Sequence, residues 1–207
     1  MTATPTLSNA AILFRAATTS LADSLASAVV QVRSQNTGSG GAGLIWGRSG
    51  LVVTNAHCVP RGAAIEVSTG STGRWREARV IGYHPPHDLA LLETRWTGRQ
   101  VDGWTEIRDA ESLRPGELLF AHGHPLGVRD ALAMGVLHDI ARDRRTGQPR
   151  WIVADVRLAP GNSGGPLVDA DGRLVGINSM VVNGLGVAVP AALAQQFVDR
   201  VLAKRAA

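Results

Sequence analysis

Residues 160–168 read PGNSGGPLV. A single serine, Ser163, lies between Asn162 and the pair Gly164–Gly165, with Pro160–Gly161 before it and Pro166 opening an apolar run. Two readings are open. Gly, Asn, Ser and Pro are ordinary turn residues, and the stretch is then a tight turn entering a strand. Alternatively Ser163 is a nucleophile and the glycines make room around it. The second reading makes demands on the rest of the chain: a base for a weak hydroxyl nucleophile, a group that orients the base, and donors for an oxyanion.

The chain has six histidines. His57 stands out because LVVTNAHCV places it on a turn directly after an apolar strand that can hold it rigidly. His84, His87, His122, His124 and His138 occur in more polar or loop-like stretches. For the orienting carboxylate, HDLALLE sets Asp88 immediately before Leu89, Leu91 and Leu92, at the mouth of another apolar strand. Taken alone, such an aspartate is an ordinary turn cap. Asp102, Asp109 and Asp130 fall in linker-like or loop segments and are weaker candidates.

Short apolar runs recur through the whole chain, separated by Gly, Pro and charged turns. The first half contributes segments 29–33, 42–46, 51–54, 64–68, 76–83 and 89–93. After a polar linker at 97–116 come 117–121, 131–138, 151–156, 166–168, 173–179 and 186–189. Six strands, a linker and six more are the pattern of paired barrels or a sandwich. Helical signals occur only at the ends. Ser20 to Asp23 resembles a capping box opening a short helix. Leu193, Phe197 and Val201 recur every four residues after Pro190, as in a closing amphipathic helix.

Composition narrows the function classes. The 207 residues are 44% hydrophobic with 24 glycines and a net charge of +4, which suits a folded, turn-rich chain. The densest basic run, residues 141–150, contains an aspartate and no interleaved aromatic, so it reads as a solvated loop and no nucleic-acid partner is expected. The apolar runs are shorter than the ~20 residues of a membrane span. The one cysteine, Cys58, excludes an intramolecular disulfide and reads as a small packed residue. The N-terminal stretch lacks a basic segment followed by a long apolar one, so a cytoplasmic location is expected over the cell envelope.

The chain order His57, Asp88, Ser163 is that of chymotrypsin-type serine peptidases. TNAHCV, HDLALL and PGNSGGPLV, with GINS and GVAVP behind them, resemble the HtrA/Deg branch of the trypsin-like peptidases, from about Ser20 to the C-terminal helix. The resemblance implies an all-β, chymotrypsin-like fold of two six-stranded barrels with the site in the cleft between them. Residues 1–19 are then a flanking segment and 20–207 the peptidase domain, with barrels at about 28–96 and 117–190 and a helix at 191–205. It also implies catalytic roles for His57, Asp88 and Ser163, and an oxyanion hole over Gly161, Asn162 and Ser163, with the N–H groups of Gly161 and Ser163 as donors. Polypeptides are the implied substrates, without a cofactor.

Finer expectations follow by position within the family. The primary pocket is lined by Leu158, Asn178, Met180 and Val181, a mostly apolar set that favours small or medium aliphatic side chains at P1. Arg157, if turned inward, would instead admit an acidic one. Arg142, in a loop protruding from 135–151, matches an arginine that in relatives contacts the backbone before the nucleophile and holds the oxyanion hole open. Asn162 stands where digestive relatives carry an aspartate, so activation by an N-terminal ammonium ion pair is not expected. The chain runs 17 residues past Pro190, so no PDZ module is expected. The family's N-terminal contacts imply a homotrimer through Ala11–Ala17. Two rival readings are a non-catalytic chaperone or scaffold on a peptidase fold, and a metal site from His84, His87 and Asp88 or from His122 and His124. The two prolines of HPPHD prevent the helix that would align the first set, and no metal is expected.

Overall fold

A computed structural model describes residues 9–47, 50–69, 73–95, 104 and 106–206. Twelve strands follow one another: β1 Val29–Ser34, β2 Gly40–Trp46, β3 Leu51–Thr54, β4 Ile65–Thr69, β5 Arg76–His84, β6 Leu89–Thr94, β7 Leu118–Gly123, β8 Ala131–Arg142, β9 Pro149–Ala154, β10 Pro166–Asp169, β11 Leu174–Val182 and β12 Leu185–Pro190. Helix α1 spans Asn9–Ala28 and α2 spans Ala191–Ala206. The strands close into two antiparallel barrels, β1-β2-β3-β6-β5-β4 and β10-β11-β12-β9-β8-β7. The all-β, double-barrel expectation is met, and each apolar run of the sequence supplies one strand.

The hydrophobic residues fall into three clusters. One fills the first barrel, with Val30, Ile45, Val52, Ile65 and Leu92 among its members. Another fills the second, around Leu119, Leu137, Ile152, Leu167 and Val175. The largest lies between the barrels and joins Leu44, Leu91, Phe120, Val168 and Ile177 to both terminal helices. Because burial of apolar area is the dominant favourable term, this shared cluster fixes the barrels against each other. It therefore fixes any site built between them.

The linker expected at 97–116 lies in part, at 97–103 and 105, outside the described residues. Its described portion is stitched to both barrels. The Trp104 N–H donates to the Ile45 carbonyl of β2 at 3.2 Å, and the Leu174 N–H of β11 donates to the Glu106 carbonyl at 2.8 Å. Arg108 then ties it to buried Asp169 at 3.1 Å and to Glu117 at 2.6 Å.

The N-terminal helix differs from its expectation. Ser20 does not cap it; the helix begins at Asn9, and Ser20 sits mid-helix with its carbonyl accepting the Ser24 hydroxyl at 2.9 Å. Thr18 and Thr19 likewise bond back to the Phe14 and Arg15 carbonyls. These back-bonded hydroxyls satisfy themselves within the helix, which is why a Ser/Thr-rich segment reads as a boundary and is not one. Leu25 and Ala28 dock the helix, whereas Ile12, Leu13 and Phe14 are exposed. At the other end, α2 leaves β12 and packs back across the first barrel, where Arg205 pairs with Glu93 of β6 at 2.7 Å.

Candidate active site

The first barrel presents two side chains on short turns. A 3-10 turn at Ala56–Cys58 follows β3 and carries His57; a second at Pro85–His87 precedes β6 and ends on Asp88. Asp88 has a left-handed backbone with φ 51°. The Asn55 side-chain amide holds this backbone by donating to the Asp88 carbonyl at 2.9 Å. The Asp88 carboxylate then faces the neighbouring turn. It accepts the His57 backbone N–H at 3.1 Å and lies 2.8 Å from the ring Nδ1.

These contacts set the charge states. The Asp88 hydrogen bond is the main cause of a His57 pKa held well above its ordinary value, with Cys58 adding in the same direction. Burial works to raise the Asp88 carboxyl, but hydrogen bonds from His57 and Ser179 overcome it and leave the group below the usual carboxylate range. Asp88 thus remains ionised, and it favours an imidazolium beside it.

The second barrel presents a backbone turn. Gly161 has φ 108° and Gly164 has φ 86°, conformations that side chains rarely adopt. A Cβ on Gly164 would lie 2.1 Å from the Ala42 carbonyl oxygen of the first barrel, so only glycine lets the two barrels approach there. The Ser163 carbonyl accepts the Ala42 N–H at 2.7 Å across this gap, and the Gly164 N–H donates to the Asn178 carbonyl at 2.8 Å. The turn is fastened to both barrels, with Ser163 half-buried at its apex.

The Ser163 hydroxyl donates to the Ser179 carbonyl at 2.9 Å. Ser179 in turn donates its hydroxyl to Asp88 at 2.5 Å. The structure therefore brings His57, Asp88 and Ser163 together, with the serine hydroxyl turned toward β11 in this conformation. Ser179 was not assigned a role from the sequence, although it is the serine of GINS. The available signal was a polar side chain closing an apolar strand.

The Gly161 and Ser163 N–H groups have no hydrogen-bond partner among the described residues, whereas the Asn162 N–H donates to the Ala159 carbonyl at 2.9 Å. Asn162 is consequently corrected: its N–H is occupied within the turn and its side chain is buried. A cleft of about 380 Å³ opens beside Ser163, lined by His57, Leu158, Pro160, Ser179, Met180 and Val181 among others.

Two further expectations are corrected. Asn178 does not line the cleft. Alternation along β11 turns its side chain into the barrel, where it is fully buried and donates to the Pro166 carbonyl at 2.8 Å. Arg142 does not reach the backbone before Ser163. It ends β8, and its guanidinium grips Glu111 through two bonds of 2.7 Å and the Gly147 carbonyl at 3.1 Å. The loop after it is a tight turn whose Asp143 carboxylate accepts the Arg145 and Thr146 N–H groups.

The histidines of the rival metal reading fall into two pairs. The His84 and His87 rings lie 4.7 Å apart, and His122 and His124 lie 6.2 Å apart at the end of β7. No group of three His, Cys, Asp or Glu side chains able to hold a metal ion occurs among the described residues. No helix among them is long and apolar enough to cross a membrane.

Two six-stranded antiparallel barrels, with a histidine–aspartate pair from one facing a serine turn from the other, define the chymotrypsin-like fold. The chain belongs to the trypsin-like peptidase domain family, whose model matches residues 41–177. It is similar to the serine protease HhoB of Synechocystis sp., 34% identical over 180 residues, covering 83% of this chain and 42% of that protein. It is also similar to a DegP-like periplasmic serine endoprotease of Chlamydia muridarum, 31% identical over 170 residues, covering 78% of this chain and 33% of that one. Among solved structures it resembles Deg5, with a TM-score of 0.78 and 25% identity over 88% of this chain and 92% of that chain. The HtrA/Deg resemblance is thus shown. The chain spans well under half the length of these two protease relatives. The cytoplasmic expectation is overturned: relatives from Chlamydia and Bartonella are named periplasmic endoproteases.

Proposed function

We propose that the chain is a serine endopeptidase that cleaves exposed or unfolded polypeptide segments through His57, Asp88 and Ser163. The observation that carries this reading is the chain of contacts His57–Asp88–Ser179–Ser163 beside two N–H groups without a partner among the described residues. Rotation about the Cα–Cβ bond of Ser163 turns its hydroxyl from the Ser179 carbonyl toward His57. His57 Nε2 takes the proton as Ser163 Oγ bonds to the substrate carbonyl carbon. The carbonyl oxygen becomes an oxyanion held by the Gly161 and Ser163 N–H groups. The imidazolium gives its proton to the departing amine as the C–N bond breaks. Water, activated by His57 in turn, then releases the acyl group from Ser163.

The Asp88 carboxylate keeps the proton on His57 Nδ1 and favours the imidazolium formed in the transition state. Leu158, Met180 and Val181 make an apolar pocket suited to Val, Ala or Leu at P1, while the side chain of Arg157 lies on an exposed position outside the lining. The experiment is casein cleavage by wild type and by Ser163→Ala. Ser163→Ala should lose activity by roughly 10⁴-fold or more with its melting temperature retained. Cleavage by both proteins at one rate would remove Ser163 from the mechanism.

A further inference from the structure

The loop His124–Asp130, between β7 and β8, is bonded to the serine turn through its backbone. The Leu126 N–H donates to the Pro160 carbonyl at 2.9 Å, and the His124 N–H donates to the Gly161 carbonyl at 3.0 Å. The first bond matters most. A peptide unit is planar and trans, so the Pro160 carbonyl and the Gly161 N–H point in opposite directions from one rigid plane. Holding the carbonyl on Leu126 therefore turns the Gly161 N–H outward, toward the cleft. A flip of this peptide would remove that donor.

Leu126 is not conformationally at ease in this position. Its φ is 52°, its side chain is 78% exposed, and Asp130 at the far end of the loop has φ 54°. Two non-glycine residues in the left-handed region need surroundings that over-determine them. Besides the Val128 N–H bond to the Pro125 carbonyl at 2.8 Å, a contact from end to end of the loop does this. The buried His124 ring accepts the Asp130 N–H on Nδ1 at 3.2 Å and so closes the loop end to end. Acceptance at Nδ1 requires the tautomer with its proton on Nε2, and the buried ring also interacts with the Val30 backbone of β1.

We propose that His124 is a positioning residue for the oxyanion hole: its ring closes the 124–130 loop, and the closed loop orients the Gly161 N–H through Leu126 and Pro160. This inference rests on the peptidase reading, and it gives to the 124–130 loop the task that the sequence suggested for Arg142. His124 touches neither substrate nor reacting atoms; it acts through a backbone N–H two residues away.

His124→Leu removes the acceptor, and His124→Asn returns one at the place of Nδ1. With a peptide substrate, His124→Leu should lower kcat by about 10- to 100-fold with KM within twofold, because only the transition state uses the hole. It should weaken a peptide aldehyde, whose adduct carries the oxyanion, and leave product-peptide binding unchanged. His124→Asn should restore most of the loss. Amide exchange should show protected Asp130 and Leu126 N–H groups in wild type and His124→Asn, and fast exchange in His124→Leu. Independently of any variant, ¹⁵N shifts of wild-type protein should report the Nε2–H tautomer at His124. An Nδ1–H tautomer, or a His124→Leu protein with wild-type kcat and protected amides, overturns the proposal. If wild type cleaves no peptide, the peptidase reading fails by itself, and the exchange and tautomer measurements still decide the role of His124 in the loop.

Discussion

The two barrels have one strand order. Read from its first strand, the N-terminal barrel runs β1-β2-β3-β6-β5-β4, and the C-terminal one runs β7-β8-β9-β12-β11-β10 in the same permutation. Their contributions to the cleft are nonetheless of different kinds. The first barrel offers side chains, His57 and Asp88, on two short turns that bond to each other. The second offers a backbone turn, with a serine and two N–H groups. In the mechanism we propose, side-chain charge handles protons, and fixed backbone dipoles meet the oxyanion. Neither barrel is a complete site. What joins them is a small set of cross-barrel bonds, Ala42 to Ser163 and Ser179 to Asp88, over a shared apolar cluster.

The sharpest way to break this division is to remove one member from each side. His57→Ala and Ser163→Ala should each lower kcat by about 10⁴-fold or more, and the double variant should be no slower than the worse single one. Multiplying losses in the double variant, read by single-turnover cleavage, would show that the barrels contribute independently. Within the first barrel, Asp88→Asn should cost about 10⁴-fold by allowing the wrong His57 tautomer. Its pH dependence should move as well. The base works only when neutral, so kcat/KM should rise with pH through a His57 midpoint above 6.5. With the carboxylate gone the midpoint should fall. An unchanged midpoint would show that Asp88 does not set the charge of His57.

The difference between the barrels also governs what the sequence makes legible. Each strand announces itself, because a half-buried strand must alternate or run apolar, as LVVT at 51–54 and LALLE at 89–93 do. The meeting of His57, Asp88 and Ser163 is legible because rare chemistry on turn residues beside such strands leaves a local mark. Contacts made by the backbone leave none. Leu126 holds the Pro160 carbonyl through its N–H, which any non-proline residue supplies, so nothing in PLG distinguishes it. Asn178 failed for the opposite reason. Its place in the chain was right, but the side chain faces the barrel interior, and one residue along a strand reverses the face. Ser179, the next residue, bonds Asp88 instead.

Acid should destabilise both barrels, with the largest single contribution in the second. His122, on β7 of the second barrel, is fully buried, and neither ring nitrogen has a partner among the described residues. Burial pushes its pKa down from 6.5 to about 4; the Asp130 charge opposes that shift and His124 adds to it. The neutral form is favoured only in the folded protein. Stability is therefore full above pH 6.5 and falls as pH drops toward 4, by on the order of 3 kcal/mol for this one group. In the first barrel, burial also lowers His84 and His87, which steepens the same limb. His122→Leu should flatten the loss of melting temperature between pH 6.5 and 4 and leave stability at neutral pH equal or higher, since it removes unpaired buried groups. A parallel downward shift at every pH would assign His122 a packing role alone.

The smallest effect is expected at Arg142. Its guanidinium binds Glu111 in the 3-10 turn at Ala110–Ser112, and both side chains are close to half exposed. Exposed ion pairs contribute little to stability because solvent screens them and two long side chains must be ordered. Nothing links this pair to the serine turn, where Leu126 already holds the Pro160 carbonyl. Arg142→Ala should therefore leave kcat/KM within twofold of wild type and the melting temperature within about 2 °C. Arg144→Ala, on the same turn, is the matched control. If Arg142→Ala alone cut kcat severalfold with KM unchanged, the 143–148 turn would have to reach the Pro160 carbonyl in the working enzyme. Control would then be shared between two loops of the second barrel, and the 124–130 loop would lose its sole claim to the Gly161 N–H.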